Sequence, residues 1–183
     1  MGLYDEAFRL LDWTARAEQF RRNLRSHPAT HHSTPGVATI ERFISDHGVL
    51  FKPPSKNYSA SCVQKGACFN NAYKLADVRH DLVYVEGLAV PADRDEYHHH
   101  AWCVHKKTGE VIDVTWRNSA ACSYLGIGFR LNLLATLSLK YNGNPTVLDL
   151  PIENHPLLSG KINLIDVAKK SHFRKGSVSK IST

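Results

Sequence analysis

Between residues 82 and 116 the chain spells three β-forming segments in close succession, and no other stretch limits the fold so tightly. Residues 82–90 (Leu-Val-Tyr-Val-Glu-Gly-Leu-Ala-Val) are rich in β-branched and aromatic types. Residues 98–105 and 111–116 follow, joined by Lys106-Lys-Thr-Gly109-Glu110, a short polar run with a glycine that reads as a hairpin. Strands this close in sequence pair antiparallel, because a parallel pair needs a crossover of a dozen or more residues. Helical spacing in the flanks completes the class: an α+β domain with helices packed on an antiparallel sheet.

The flanks are read from apolar periodicity. Leu3, Ala7, Leu10, Leu11, Ala17, Phe20 and Leu24 predict a helix over 3–26, ended by His27-Pro28. A second helix is expected over 37–47, with Ile40, Phe43 and Ile44 inward and Gly48 as its stop. A third is expected over 66–77, with Phe69, Ala72, Tyr73 and Ala76 as its apolar stripe. Residues 29–36, 52–61 and 91–97 read as loops, and His31-His32 as solvent-exposed. Beyond Trp116 the pattern weakens. Residues 124–129 read as a turn or short bend, 130–140 as helix or strand, Asn142-Gly-Asn-Pro145 as a turn, 151–160 as irregular and 162–170 as a short last helix. The expected organisation is one domain over 1–170: N-terminal helices 3–47, a core over 60–118 and a C-terminal part 119–170. A basic mobile tail, 171–183, follows.

Composition narrows the function classes. The chain has 183 residues and 43% hydrophobic content, enough to bury one core. With 22% charged residues and no dominant type, collagen, coiled coil and wholesale disorder fit poorly. The net charge is +6, and most of the excess lies at the end, where Lys169, Lys170, Arg174, Lys175 and Lys180 occur with no acid. That tail and the arginines of the first helix support a nucleic-acid-binding module as one alternative. Against it, Asp5, Glu6, Asp12 and Glu18 are interspersed among those arginines, and no RRM, KH or zinc-finger signature is present.

The opening residues, Met1-Gly-Leu-Tyr-Asp-Glu6, do not read as a secretory leader, and Glu6 stands where a myristoyl acceptor pattern wants Ser or Thr. The longest apolar stretch, 131–139, is interrupted by Asn132, Thr136 and Ser138, well short of the roughly 18–20 residues of a membrane span. The expectation is a soluble chain with no membrane partner, cytoplasmic or delivered by a signal-independent secretion route. Cys62, Cys68, Cys103 and Cys122 are then expected as reduced thiols.

Three short pieces carry chemistry: Gln64-Lys-Gly-Ala-Cys68-Phe-Asn-Asn-Ala72, His98-His-His100-Ala-Trp102 and Val111-Ile-Asp113-Val-Thr115-Trp116. Cys68 falls at the start of a helix, where unpaired N–H groups favour a negative sulfur. Alternation along the strand puts His98, His100, Trp102 and Val104 on one face and His99, Ala101, Cys103 and His105 on the other. If Lys106 to Gly109 form the loop, His105 lies opposite Glu110 and Trp102 opposite Asp113. His100 is then diagonal to Asp113 on the same face, about 7–8 Å away between backbones. A one-residue slip would separate them. The spacing permits a bond from His100 Nδ1–H to Asp113, leaving Nε2 free to take the proton of Cys68. Trp116 is expected to line the substrate side of the site and Trp102 to pack in the core.

Gly66-Ala-Cys68 opening a helix, His100-Ala-Trp102 on one strand and Asp113-Val-Thr115 on the next resemble the transglutaminase-like core of the papain-like thiol superfamily. The resemblance spans residues 64–116, under a third of the chain. Cys68 and His100 are separated by 32 positions, and His100 and Asp113 by 13, in the family's order. Val114 stands where many relatives have Pro, and the triple histidine leaves only His100 followed by Ala-Trp.

The resemblance implies a papain-like fold and a Cys68, His100, Asp113 triad acting on an amide bond through a thioester. It implies an oxyanion site formed by the Cys68 backbone N–H and Gln64, four residues before the nucleophile. A protein or peptide amide is the implied substrate, with no cofactor. Peptidase, side-chain deamidase, transglutaminase and cell-wall peptide amidase all use this chemistry. A zinc-binding module is the remaining alternative, with His98, His100, Cys103, His105 and Asp113 as ligands; it lacks the paired short-spaced Cys/His knuckles of structural zinc sites.

Overall fold

The computed structural model describes residues 15, 18–22, 24, 39–58, 63–91, 96–140, 146–149 and 155–168. Most of the expected first helix, the loop 29–36, the turn at 142–145, the tail 171–183 and Cys62 lie outside the described residues. Of the first helix, residues 18–22 are described and helical, with Phe20 buried.

The architecture is α+β, built on one curled antiparallel sheet. In chain order the elements are α1 (Ile40–His47), β1 (Val49–Phe51), α2 (Cys68–Val78), β2 (Leu82–Val90), β3 (His98–His105), β4 (Val111–Ile112), β5 (Ser123–Phe129), α3 (Leu131–Lys140) and α4 (Leu164–Val167). The strand order is β1-β5-β2-β3-β4, every neighbour antiparallel. Five strands alternating in direction leave the two outer strands running the same way. A parallel bridge between Lys52 and Glu110 joins them there, with Val111 N–H donating to Lys52 O at 3.0 Å. The sheet therefore curls on itself and has an inside and an outside.

Strand periodicity sorts residues between those two faces. Phe51, Val83, Val85, Ala89, Trp102, Val104, Val111 and Tyr124 pack together inside. Leu82, Tyr84, Leu88, Ala101, Cys103, Leu125, Ile127 and Phe129 point outward and are covered by Phe43 and Ile44 of α1, Ala72 and Ala76 of α2 and Leu134 and Leu137 of α3. Gly87 and Gly126 face each other across β2 and β5. A Cβ on Gly87 would lie 2.2 Å from Leu125 O, and one on Gly126 would lie 2.8 Å from the Trp102 ring. Two residues without side chains thus let the strands approach and leave the inner space that the Trp102 indole fills.

Several expectations are corrected. Residues 124–129 are not a bend but β5, the strand between β1 and β2. Their glycines mark close approach rather than a turn. The strand expected over 111–116 stops at Ile112, because the Asp113 carboxylate takes the N–H groups of Thr115 (2.8 Å) and Trp116 (3.3 Å) and bends the chain. The stretch expected as helix or strand over 130–140 is helix over Leu131–Lys140, and the last helix is a single turn, Leu164–Val167.

Glu86, in the middle of β2 on the outer face, is a fully buried acid. Its Oε1 accepts from Tyr84 OH (2.9 Å) and Val147 N–H (2.7 Å); its Oε2 accepts from Thr146 OH (3.1 Å) and Leu148 N–H (3.0 Å). One side chain thus ties residues 146–148 onto the sheet. Burial pushes its pKa up from 4.5 to about 7, and the four donors pull against that rise. The folded chain therefore holds a proton that the unfolded chain has lost. Glu86's contribution to stability falls as pH rises from about 4.5 through about 7.

Each Glu86 oxygen faces one backbone N–H, so neither orientation of a Gln amide avoids pointing NH₂ at a donor. Glu86→Gln is expected to lower unfolding stability by about 2–4 kcal/mol in urea titration at neutral pH. A loss under about 0.5 kcal/mol, the size of an ordinary surface change, would contradict the clamp.

Candidate active site

Cys68 is positioned by a turn and a helix start. Ala67 N–H bonds Gln64 O at 3.3 Å across a tight turn whose third residue, Gly66, has φ of 77°, a conformation costly for any residue with a Cβ. The helix begins at Cys68 rather than Gly66, and no side chain caps it at Ala67. The first N–H groups of α2 are left without a side-chain cap beside the half-buried sulfur.

His100 is positioned by the hairpin. The register pairs Cys103 with Ile112 and Val104 with Val111, and His105 N–H bonds Glu110 O at 2.9 Å. This is the register the loop length implies, and it brings His100 and Asp113 together on the inner face. His100 Nε2 lies 2.8 Å from Asp113 Oδ2, both groups buried. The bond uses Nε2, not the Nδ1 expected from spacing. Strand spacing sets where the Cα lies but not which way the ring is turned. With Nε2 committed to Asp113, Nδ1 is the ring nitrogen left free, and Cys68 lies near enough to favour charge on the ring.

Burial opposes charge on His100. The hydrogen bonds and charges of Asp113 and Cys68 outweigh it and raise the imidazole from 6.5 to about 9. The ring is an imidazolium through the neutral range. The stabilisation from this shift is fully present below pH 6.5 and is lost as pH rises through about 9. Trp116 lies flat on the ring, centroids 4.2 Å apart and planes 19° apart, an arrangement that favours a cation. Trp116 thus covers the imidazole and is itself partly exposed beside exposed His98, which meets it edge-on at 5.9 Å.

Asp113 is itself held on all sides. Besides Thr115 N–H, Trp116 N–H and His100, its Oδ2 accepts from Tyr124 OH at 3.1 Å. Tyr124 sits on β5, in the segment whose sequence reads as a bend, so its link to Asp113 has no local signal. Gln64 is exposed, four residues before Cys68, its backbone N–H and O bonded to the Asn71 amide at 3.1 and 2.8 Å.

Among the described residues, His99, Cys103 and Cys122 are engaged elsewhere. His99 faces outward, edge-on to Phe69 at 4.9 Å. Its Nε2 is 3.8 Å from Glu86, and burial lowers its pKa to about 4, leaving it neutral. Cys103 Sγ donates to Ala72 O and Cys122 Sγ to Asn118 O. The five residues of the zinc reading do not converge, since β3 sends His98 and His100 to one face and Cys103 and His105 to the other. Among the described residues no group of three His, Cys, Asp or Glu side chains is placed to hold a metal ion, and no helix is long and apolar enough to cross a membrane. Searches of protein families, curated proteins and solved structures find no match to this chain.

The His100 resonance is expected to titrate near pH 9 by NMR. Asp113→Asn is expected to move it to 6.5 or lower, because burial then acts with one partner fewer. A wild-type midpoint near 6.5, or one that Asp113→Asn leaves in place, would contradict the pairing.

Proposed function

We propose that this chain is a thiol-dependent acyl-transfer enzyme with a papain-like, transglutaminase-like core, acting on an amide bond of a protein or peptide. The observation that carries this reading is the buried His100 ring, bonded to Asp113 at 2.8 Å through Nε2, with its other nitrogen free and Cys68 near enough to favour its charge. A charged, oriented imidazole beside a thiol at an uncapped helix start is the arrangement a sulfur nucleophile needs.

In the proposed reaction the Cys68 proton resides on His100 Nδ1, and the sulfur attacks the amide carbonyl. The oxyanion forms near the Cys68 backbone N–H, with the Gln64 side chain as second donor. Collapse breaks the C–N bond, and His100 gives its proton to the leaving amine. Water, or an acceptor amine, then loses a proton to His100 as it attacks the thioester, and the acyl group leaves Cys68. Asp113 holds the ring in its orientation and balances its charge throughout. Trp116 shields the imidazolium from water and offers its exposed edge to the substrate.

An electrophilic amide probe followed by mass spectrometry is expected to place a single adduct on Cys68. Labelling should vanish in Cys68→Ala and slow by about 10²–10⁴-fold in His100→Ala, with a smaller loss in Asp113→Asn. Cys68→Ala is expected to fold near normally, while the two variants that break the buried pair are expected to be less stable and are compared at a temperature where each is folded. Adducts spread over Cys103 and Cys122, or wild-type labelling of His100→Ala, would contradict the reading.

A further inference from the structure

The Cys68 helix and the Asp113 turn come from distant parts of the chain, yet they must stay in register to well under an ångström. Helix α2 packs against β3 on the outer face, while Asp113 belongs to the inner face. β4 ends at Ile112, so strand pairing does not carry the register past that residue. The Asn71 side chain hydrogen-bonds across the gap. Asn71, on the first turn of α2 and 7% exposed, donates from Nδ2 to Thr115 Oγ1 at 3.2 Å and to Gln64 O at 2.8 Å, and accepts from Gln64 N–H at 3.1 Å. Thr115 N–H in turn donates to Asp113 Oδ1 at 2.8 Å. Both Nδ2 hydrogens are used.

We infer that Asn71 is a positioning residue: its bond to Thr115 sets the distance between the Cys68 sulfur and the His100 imidazole. The inference rests on the proposed acyl-transfer reading but concerns a separate contact. The path runs from Cys68 along one turn of α2 to the Asn71 amide, across to Thr115, through the Thr115 backbone to Asp113, and on to His100. The Gln64 bonds of the same amide fix the loop that precedes the nucleophile. The Thr115 bond is the one that joins nucleophile to base. Losing it frees the Asp113 turn from α2 without touching either group's own contacts.

Thr115→Val tests this, because it removes the acceptor oxygen at nearly constant volume and leaves the Gln64 bonds in place. Thr115→Ser restores the oxygen. The expected result is a roughly tenfold slower labelling of Cys68 in Thr115→Val, a misplacement cost of the size that small displacements produce. The His100 NMR titration is expected to shift toward acid as the sulfur retreats, with both readouts restored in Thr115→Ser. A change confined to thermal stability, unchanged readouts in Thr115→Val, or equal shifts in both variants would overturn the inference. Should the wild-type chain not be labelled at Cys68, the acyl-transfer reading fails. The His100 titration of the two variants still decides whether Asn71 sets the spacing.

Discussion

Everything in the candidate site turns on one buried pair, the His100 imidazolium and the Asp113 carboxylate. Taking two charges out of water costs several kcal/mol per ion unless the remaining bonding capacity is filled. Here it is filled: Asp113 accepts from Thr115, Trp116, Tyr124 and His100, while His100 has Asp113, Cys68 and the face of Trp116. The local structure follows from this requirement. Asp113 ends β4 because its carboxylate captures the next two accessible N–H groups. Tyr124 must lie inside the curl to reach it, which places β5 beside β2 rather than in a loop.

The sheet carries a second buried carboxyl on its other face, and the contrast between the two is instructive. Glu86 is surrounded by neutral donors and a neutral His99, so burial dominates and its pKa rises to about 7. Two adjacent histidines, separated only by strand alternation, end up at about 4 and about 9. The difference lies in their partners. His99 meets Phe69 and a distant carboxylate oxygen at 3.8 Å, whereas His100 has a direct bond to Asp113. Glu86 fastens a covering segment to the outside; Asp113 holds the His100 ring on the inside.

Local pattern reveals what local physics decides. The hairpin register, and with it the pairing of His100 and Asp113, could be read because a short glycine turn fixes which residues face each other. The helix after Gly66 could be read from its apolar stripe. β5 could not, since glycines at its inner positions look like turn residues, and only Trp102 and Gly87 on other strands explain them. Nor could the clamp on Glu86, three of whose four donors lie some sixty residues further along the chain. Asn71 looked like an ordinary helix residue because its partner Thr115 is 44 positions away. The orientation of the His100 ring was likewise beyond spacing arguments, being settled by where Cys68 and Asp113 stand around it.

The central claim is that one sulfur and one imidazole nitrogen share a reacting carbon. A crystal structure of the chain covalently trapped with an amide-mimicking electrophile tests it most directly. The account expects the new bond at Cys68 Sγ, the former carbonyl oxygen at the Cys68 backbone N–H, and His100 Nδ1 within hydrogen-bonding distance of the adduct while Nε2 keeps Asp113. An adduct on another residue, or His100 turned so that neither nitrogen approaches the Cys68 adduct, would contradict it.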